Sequence, residues 1–247
     1  MSQLRIETRE GVLWLVLDRP PVNALDTGFC IELAEQLDAL ATDADGGPVV
    51  ITGIGASFSA GVDLKSVVRY GQAEQDEMLR ALNRVFLAAY NFPRPLIGAI
   101  NGHAIAGGLV LALTCDVRIG VIGPGRFGLA EVRVGIPYPV AAIEIVKAEL
   151  GANARTFVLF GRPVDAKTAH EAKVLDELCA PEELVSRANA IASAASALPS
   201  VGFGKIKRQL RAEVLAKADR AVAGQEPLLG NWLAPETLLA SAAVLRS

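Results

Sequence analysis

Two short runs rich in apolar residues, Leu4 to Glu7 and Val12 to Leu17, open the chain on either side of Glu10-Gly11. This pattern predicts a β-hairpin whose second strand stops at Arg19-Pro20-Pro21, because proline has no N–H for a sheet ladder. Asp26 or Thr27 offers a cap, and Ile31, Leu33, Ala34, Leu37 and Leu40 follow at helical spacing, predicting a helix through about Leu40. Asp43 to Pro48 breaks that period before an apolar strand at Val49 to Thr52. Met78, Leu82, Val85, Phe86 and Ala89 share one face of a helix predicted from about Glu74 to Tyr90; Pro93 and Pro95 end it, and a strand follows at Leu96 to Ile100. Each strand is apolar enough to be covered on both faces, as in an alternating α/β core.

The alternation continues with a loop at Asn101 to Ala106, a short apolar helix from Gly107 to about Thr114 and a strand from Asp116 to Val121. From about Val140 the pattern is mostly helical, with segments near Ala141 to Leu150, Ala154 to Phe160, Ala166 to Glu171, Pro181 to Ala197, Phe203 to Ala223 and Ala234 to Leu245. The alanine-rich Ala188 to Ala197 suits a closely packed helix. No repeat of 20 to 50 residues is visible and no Ser/Gly/Pro linker divides the chain, so we expect an α/β core over 1–195 and a helical region over 196–247.

Composition narrows the function classes. The 247 residues are 51% hydrophobic, 5% aromatic and 21% charged, which is ordinary for a globular α/β protein. A formal net charge of −3 and the lack of a long basic run argue against nucleic-acid binding. Cys30, Cys115 and Cys179 are odd in number and widely spaced, which fits reduced thiols rather than a disulfide framework or a zinc site. The polar start, Met1 to Gly11, lacks the apolar core of a secretory signal, and no apolar run is long enough for a bilayer. The expectation is a cytoplasmic protein with neither nucleic-acid nor membrane partners. With His103 and His170 as the two histidines and no close Cys/His cluster, a His-rich metal centre is not expected, and no Gly-x-Ser-x-Gly turn supports a serine hydrolase.

Candidate chemistry lies at two turns that follow strands. Ser57-Phe58-Ser59-Ala60-Gly61-Val62-Asp63-Leu64 is a small-residue turn that exposes backbone amides where a ligand meets the end of a sheet. Asn101-Gly102-His103-Ala104-Ile105-Ala106-Gly107-Gly108 opens an apolar helix, and its paired glycines permit close backbone approach at a helix start that favours negative charge. Two amides converging on one carbonyl oxygen would form an oxyanion hole, each donor worth about 3 kcal/mol to a transition state. Tight turns alone explain either segment. Neither fits a phosphate-binding P-loop or a dinucleotide fingerprint.

These two segments, together with Phe127-Gly128-Leu129-Ala130-Glu131 and Gly135-Ile136-Pro137, resemble in order and spacing the signatures of the crotonase family, the enoyl-CoA hydratases and isomerases. The resemblance starts at Asn23-Ala24-Leu25, passes through Thr114-Cys115-Asp116 and weakens only in the final helices. It implies a spiral of ββα repeats with a C-terminal helical trimerisation region, commonly a trimer or dimer of trimers. It further implies an acyl-CoA thioester as substrate, with coenzyme A as part of that substrate and no separate cofactor. The backbone amides of Val62 and Gly107 would form the oxyanion hole, and coenzyme A would lie along Ala24, Ser59, Ala60, Gly61, Asp63, Leu64 and Gly108, the backbone mattering more than the side chains.

The family places carboxylates at one or both of two positions, and here the two differ. Glu131 matches the glutamate after the Phe-Gly pair, whereas Val110, three residues beyond Gly107, stands where two-glutamate hydratases carry their other carboxylate. Hydration suits paired carboxylates that hold a water and return a proton; a 3-enoyl to 2-enoyl shift needs one carboxylate acting as base and then acid. The resemblance therefore favours a Δ3-Δ2 enoyl-CoA isomerase with Glu131 as shuttle, its pKa raised towards neutrality by an apolar pocket. Out of context Glu131 better fits a surface group paired with Arg126 or Arg133, and the motif context reverses that preference. Asp63 suits a turn or helix cap, Glu144 a solvent-facing helix position or the acyl pocket, and His103 a packed loop. Lys205, Lys207, Arg208 and Arg246 are candidates for a coenzyme A phosphate or for a solvated helix face. Tyr138-Pro139-Val140 departs from the glycine-rich turn of many relatives, and the chain ends soon after Ala242-Ala243. Hydration with a relocated second group, another acyl-CoA reaction, and acyl-CoA binding without turnover are the alternatives.

Overall fold

The computed structural model describes residues 2–43, 46–224, 232, 233, 237 and 240. Strands β1 (Leu4–Arg9) and β2 (Val12–Leu17) form the antiparallel hairpin. Its turn places Glu10 and Gly11 at φ 52° and 82°, a left-handed pair that a tight hairpin requires and that glycine adopts freely. Helix α1 (Thr27–Ala41) starts where Asp26 accepts the Phe29 N–H, and β3 (Val49–Gly53) lies parallel to β2.

Three ββα turns follow in a spiral. The first is β3, β4 (Ser57–Ser59), then α2 (Leu64–Val67) and α3 (Gln72–Tyr90). The second is β5 (Leu96–Ile100), β6 (His103–Ile105) and α4 (Gly107–Leu113). The third is β7 (Val117–Val121), β8 (Phe127–Gly128), a 3-10 turn at Glu131–Arg133 and α5 (Val140–Leu150). The first strand of each turn adds to one sheet, ordered β1-β2-β3-β5-β7 and completed by β9 (Glu177–Cys179); beyond the hairpin its pairings are parallel. The second strands build a smaller parallel sheet, β4-β6-β8. This is a crotonase-like α/β spiral.

Period-two alternation gives the larger sheet two buried faces. Leu15, Leu17, Val49 and Ile51 point into the main core, whereas Trp14, Val16, Val50, Ile97 and Ile119 point to the other side. Helix α8 (Leu184–Ser196) covers that second face with Leu184, Ala188 and Ala192, the two alanines letting it lie close, and Trp14 Nε1 donates to Asn189 Oδ1 at 2.9 Å. Between α5 and α8 lie α6 (Ala154–Phe160) and α7 (Ala166–Glu171).

Several sequence expectations need correction. The Asn101 to Ala106 segment contains β6, and β9 interrupts the helical second half; at three residues each, both are too short to show a period. The helix expected over Phe203 to Ala223 is two helices, α9 (Ser200–Leu210) and α10 (Ala212–Val222), broken at Arg211. The break follows from what Arg211 holds: its guanidinium donates to the carbonyls of Tyr90 and Thr114 at 2.7 and 3.2 Å, and α10 packs back on α3 and α5. Apart from Thr237 and Ala240, the helix expected over Ala234 to Leu245 lies outside the described residues. No helix among the described residues is long and apolar enough to cross a membrane.

Candidate functional site

Val22 to Leu25 runs beside Ala60 to Asp63: Ala60 N–H donates to Val22 O at 3.0 Å, Leu25 N–H to Gly61 O at 2.7 Å, and Asp63 N–H to Leu25 O at 2.8 Å. In such a parallel pairing Leu25 spends its bonds on the residues either side of Val62, so the Val62 N–H points away from it. The far side is where the second turn arrives. Gly61, at φ 78°, lies so close to that turn that a Cβ added there would sit 2.7 Å from Ile105 O and 2.9 Å from Gly107 N. A Cβ at Gly108 would sit 2.1 Å from Ser59 O. The glycines at these two positions are therefore required by the approach of one backbone to the other.

Gly107 begins α4, so its N–H has no carbonyl earlier in the helix to meet. The residue before it, Ala106, sits at φ 52° and ψ −128°, an uncommon conformation for a residue with a side chain. It is held there by pairing: Ala106 N–H donates to Gly128 O at 2.7 Å, at the end of the β6–β8 ladder. The Val62 and Gly107 amides thus belong to adjoining segments, and the Gly128 carbonyl ties the second of them to the strand that leads into Glu131.

Around the first turn a polar frame holds the chain. Asn23, fully buried at φ 51°, donates from Nδ2 to Ile54 O and Ser57 O and accepts Ser59 Oγ at its carbonyl, 2.7 Å away. Arg19 reaches Ala24 O at 2.7 Å, Asp26 at 2.6 Å and Asp63 at 3.0 Å. Asp63 also caps α2 through Lys65 N–H and Ser66 Oγ, and the Arg19 bond heads the stabilising contacts that, against the opposing effect of burial, hold its carboxyl below the usual range. Outside this frame lies a cavity of about 700 Å3, whose lining includes Pro21, Ala24, Ala60, Val62, Leu64 and Lys65. Neither Gly107 nor Glu131 lines it, so it is a groove leading along the first turn rather than the place where bonds would change. A second cavity, about 640 Å3, lies where the ends of α1 and α3 face α9; Lys205, Lys207 and Arg208, named above as candidates for a phosphate, are in its lining.

Glu131 follows Gly128 by three residues, which puts its Cα within about 10 Å of Gly128 by chain length alone. Its side chain is half-buried, and among the described residues neither Arg126 nor Arg133 pairs with it. Among the described residues one side-chain bond reaches it, from the Tyr138 hydroxyl to Oε2 at 2.8 Å. Burial pushes the Glu131 carboxyl up to about 7, with the Tyr138 bond and its own backbone pulling the other way. Val110 lies fully buried in α4 among Leu109, Leu111 and Ala112.

The other candidates fall into structural places. Glu144 pairs with Lys147 and Lys217 at 2.8 and 2.7 Å, and those bonds, working against burial, hold its carboxyl below the usual range. His103 Nδ1 accepts the Arg126 N–H. Lys207 is a correction: it is buried, with its ammonium on Asp116 at 2.7 Å, and is not free for a phosphate. Arg246 lies outside the described residues. Sequence reasoning missed three groups. Arg19 reads only as a strand stop before two prolines and Tyr138 as an altered turn, and Lys65 is passed over; the signal for Lys65 is its place directly after Asp63-Leu64.

Comparison with known proteins bears on the family and the fold. The family described as enoyl-CoA hydratase/isomerase matches residues 7–235. The 2,3-dehydroadipyl-CoA hydratase of Escherichia coli is 32% identical over 213 residues, covering 85% of this chain and 82% of that one. A Mycobacterium tuberculosis structure described as an enoyl-CoA isomerase superposes with a TM-score of 0.81 at 29% identity, covering 90% and 96% of the two chains. The human mitochondrial Δ3-Δ2-enoyl-CoA isomerase shares the fold at a TM-score of 0.88 and 24% identity, covering 99% and 97%.

Proposed function

The chain belongs to the enoyl-CoA hydratase/isomerase family, and on that premise we propose that it moves the double bond of a 3-enoyl-CoA to the 2-position. The observation that carries this reading is a single half-buried carboxyl, Glu131, raised to about 7 and without an ion-pair partner among the described residues, while the other candidate position is the buried aliphatic Val110.

In the proposed reaction the Glu131 carboxylate takes a proton from C2 of the 3-enoyl thioester. The C–H electron pair becomes the C1–C2 double bond of a dienolate, and the carbonyl pair moves onto the thioester oxygen. The Val62 and Gly107 amides donate to that oxygen, which gains charge only as the reaction proceeds. The carboxyl then returns the same proton at C4, the thioester carbonyl re-forms, and C2–C3 becomes the double bond. No water enters. A base near neutrality suits both halves, because it must accept a proton and give it back. Coenzyme A would lie in the groove along Ala24, Ala60, Asp63 and Leu64, where the exposed Lys65 meets its phosphates. Ser59, Gly61 and Gly108 act by shaping the backbone. In this reading the chain works as a homotrimer or a dimer of trimers.

Hydration of a 2-enoyl-CoA is the second reading, favoured by the activity in the name of the Escherichia coli relative. The two are separated by incubating the protein with a 3-enoyl-CoA and, separately, a 2-enoyl-CoA, and identifying products by mass and NMR. Conversion of the 3-enoyl to the 2-enoyl thioester without a gain of 18 mass units, roughly one water, is the expected result. Efficient formation of 3-hydroxyacyl-CoA from the 2-enoyl substrate would replace isomerisation with hydration.

A further inference from the structure

The Tyr138 hydroxyl is the only side-chain partner of Glu131 among the described residues, and the loop that delivers it is built for the purpose. Glu131 O accepts the Ile136 N–H at 3.0 Å, which folds Gly135-Ile136-Pro137 back over the 3-10 turn, with Gly135 at φ 68°. Prolines 137 and 139 flank Tyr138 and restrict its backbone. From the C-terminal segment, Trp232 Nε1 donates to Pro137 O at 2.9 Å and Thr237 Oγ1 to Gly135 O at 3.0 Å. The loop is thus held from both sides, and the phenol stands where it does because of three hydrogen bonds and two flanking prolines rather than by the freedom of a surface side chain.

The chemistry of the donor matters. An arginine or lysine at this position would hold the carboxyl firmly ionised and make it a feeble base. A phenol donates one hydrogen bond without bringing a charge, so it orients the carboxylate and tempers its basicity while leaving it able to take a proton. It also fills one lone-pair position on Oε2, the oxygen that would otherwise help orient a water.

We propose that Tyr138 is a positioning residue: its hydroxyl ties down Oε2 of Glu131, so that Oε1 alone exchanges the proton with substrate and no water is held against the carboxyl. This rests on Glu131 as the proton carrier, and it adds a specificity device, a neutral donor that favours the proton shift over hydration. The departure at Tyr138-Pro139 from the glycine-rich turn of many relatives then has a purpose, because such a turn supplies no hydroxyl.

The test is Tyr138→Phe, read first in the unliganded protein by infrared or carbon-13 titration of the carboxyl signal that Glu131→Gln removes. The expected midpoint is near 7 in the parent protein and about one unit higher in the variant, since a lost hydrogen bond to the charged form disfavours it. The acid limb of the pH dependence of kcat/KM moves by the same amount, kcat falls roughly tenfold, KM stays within about twofold, and the hydrated fraction of product rises. Tyrosine replaced by 3-fluorotyrosine, a stronger donor of nearly the same shape, moves the midpoint down and covers the case in which the phenylalanine variant misfolds. A midpoint that stays in place in both proteins overturns the proposal. Absence of turnover in the parent protein with every enoyl-CoA would defeat the isomerase reading alone, because the titration still reports whether the phenol controls the carboxyl.

Discussion

Among the carboxyl groups withdrawn from water in the described residues, those at two places are treated in opposite ways by their surroundings. Asp116 receives Lys207 at 2.7 Å, Arg211 at 3.1 Å and the Leu96 N–H at 2.8 Å. Glu149 extends the same cluster to Tyr90 and Arg118. Among the described residues, Glu131 receives one side-chain partner, a neutral phenol. The first arrangement balances charge with charge and joins α9 and α10 to the ends of α3 and α4; burial lowers Lys207 to about 8, with Asp116 pulling it back up. The second leaves the charge unmatched, and burial raises the carboxyl to about 7. A buried acid that is fully paired serves the fold, and one left half-satisfied is available for proton transfer.

The largest effect that tests this contrast is on turnover. Glu131→Gln is expected to lower activity by about 10²–10⁴-fold, the usual worth of a general base, with the fold intact by circular dichroism. Asp116→Asn is expected to do the reverse. It strands Lys207 and Arg211 and costs roughly 3–5 kcal/mol of stability, a fall in Tm on the order of 10 °C by calorimetry, while kcat per folded molecule changes less than about twofold. If Asp116→Asn instead lost turnover without losing stability, the two acids would not differ in kind.

A smaller effect sharpens the comparison through pH. The folded Glu131 carboxyl titrates near 7 against an ordinary 4.5, so between those values the folded state binds the extra proton. Its contribution to stability is complete below about 4.5 and is lost as pH rises through 7. Glu131→Gln has no such slope, so above neutrality the variant is expected to be more stable than the parent by about 1–3 kcal/mol in denaturant titrations, and the difference shrinks in acid. The same group that supplies the chemistry weakens the fold at the pH where it is ionised.

The larger sheet was legible because its strands β2, β3, β5 and β7 are five- or six-residue apolar runs bounded by turn residues, and α1 and α3 because their apolar positions keep helical spacing. The smaller sheet was not: β4, β6 and β8 are two or three residues long and exist because the spiral brings them together, not because of a period in the chain. At the site, the glycines and Glu131 carry their spacing in the sequence. The bond between Tyr138 and Glu131 does not, since it depends on how seven residues fold through a 3-10 turn and two prolines. Lys207 misleads for a related reason: an amphipathic helix shows which side is polar but not that one of its lysines turns inward to an aspartate from the preceding layer.

One guanidinium reaches the last carbonyls of both α3 and α4, and it comes from Arg211, far later in the chain. Helix α4 starts at Gly107, so the segment that presents this amide is finished by a residue that leaves the ribosome long after it. While residues between 116 and 211 are being added, the growing chain holds its early helices with unmet carbonyls and with the apolar faces that α10 will cover. Docking of α10 therefore covers both carbonyls and both apolar faces in one late step.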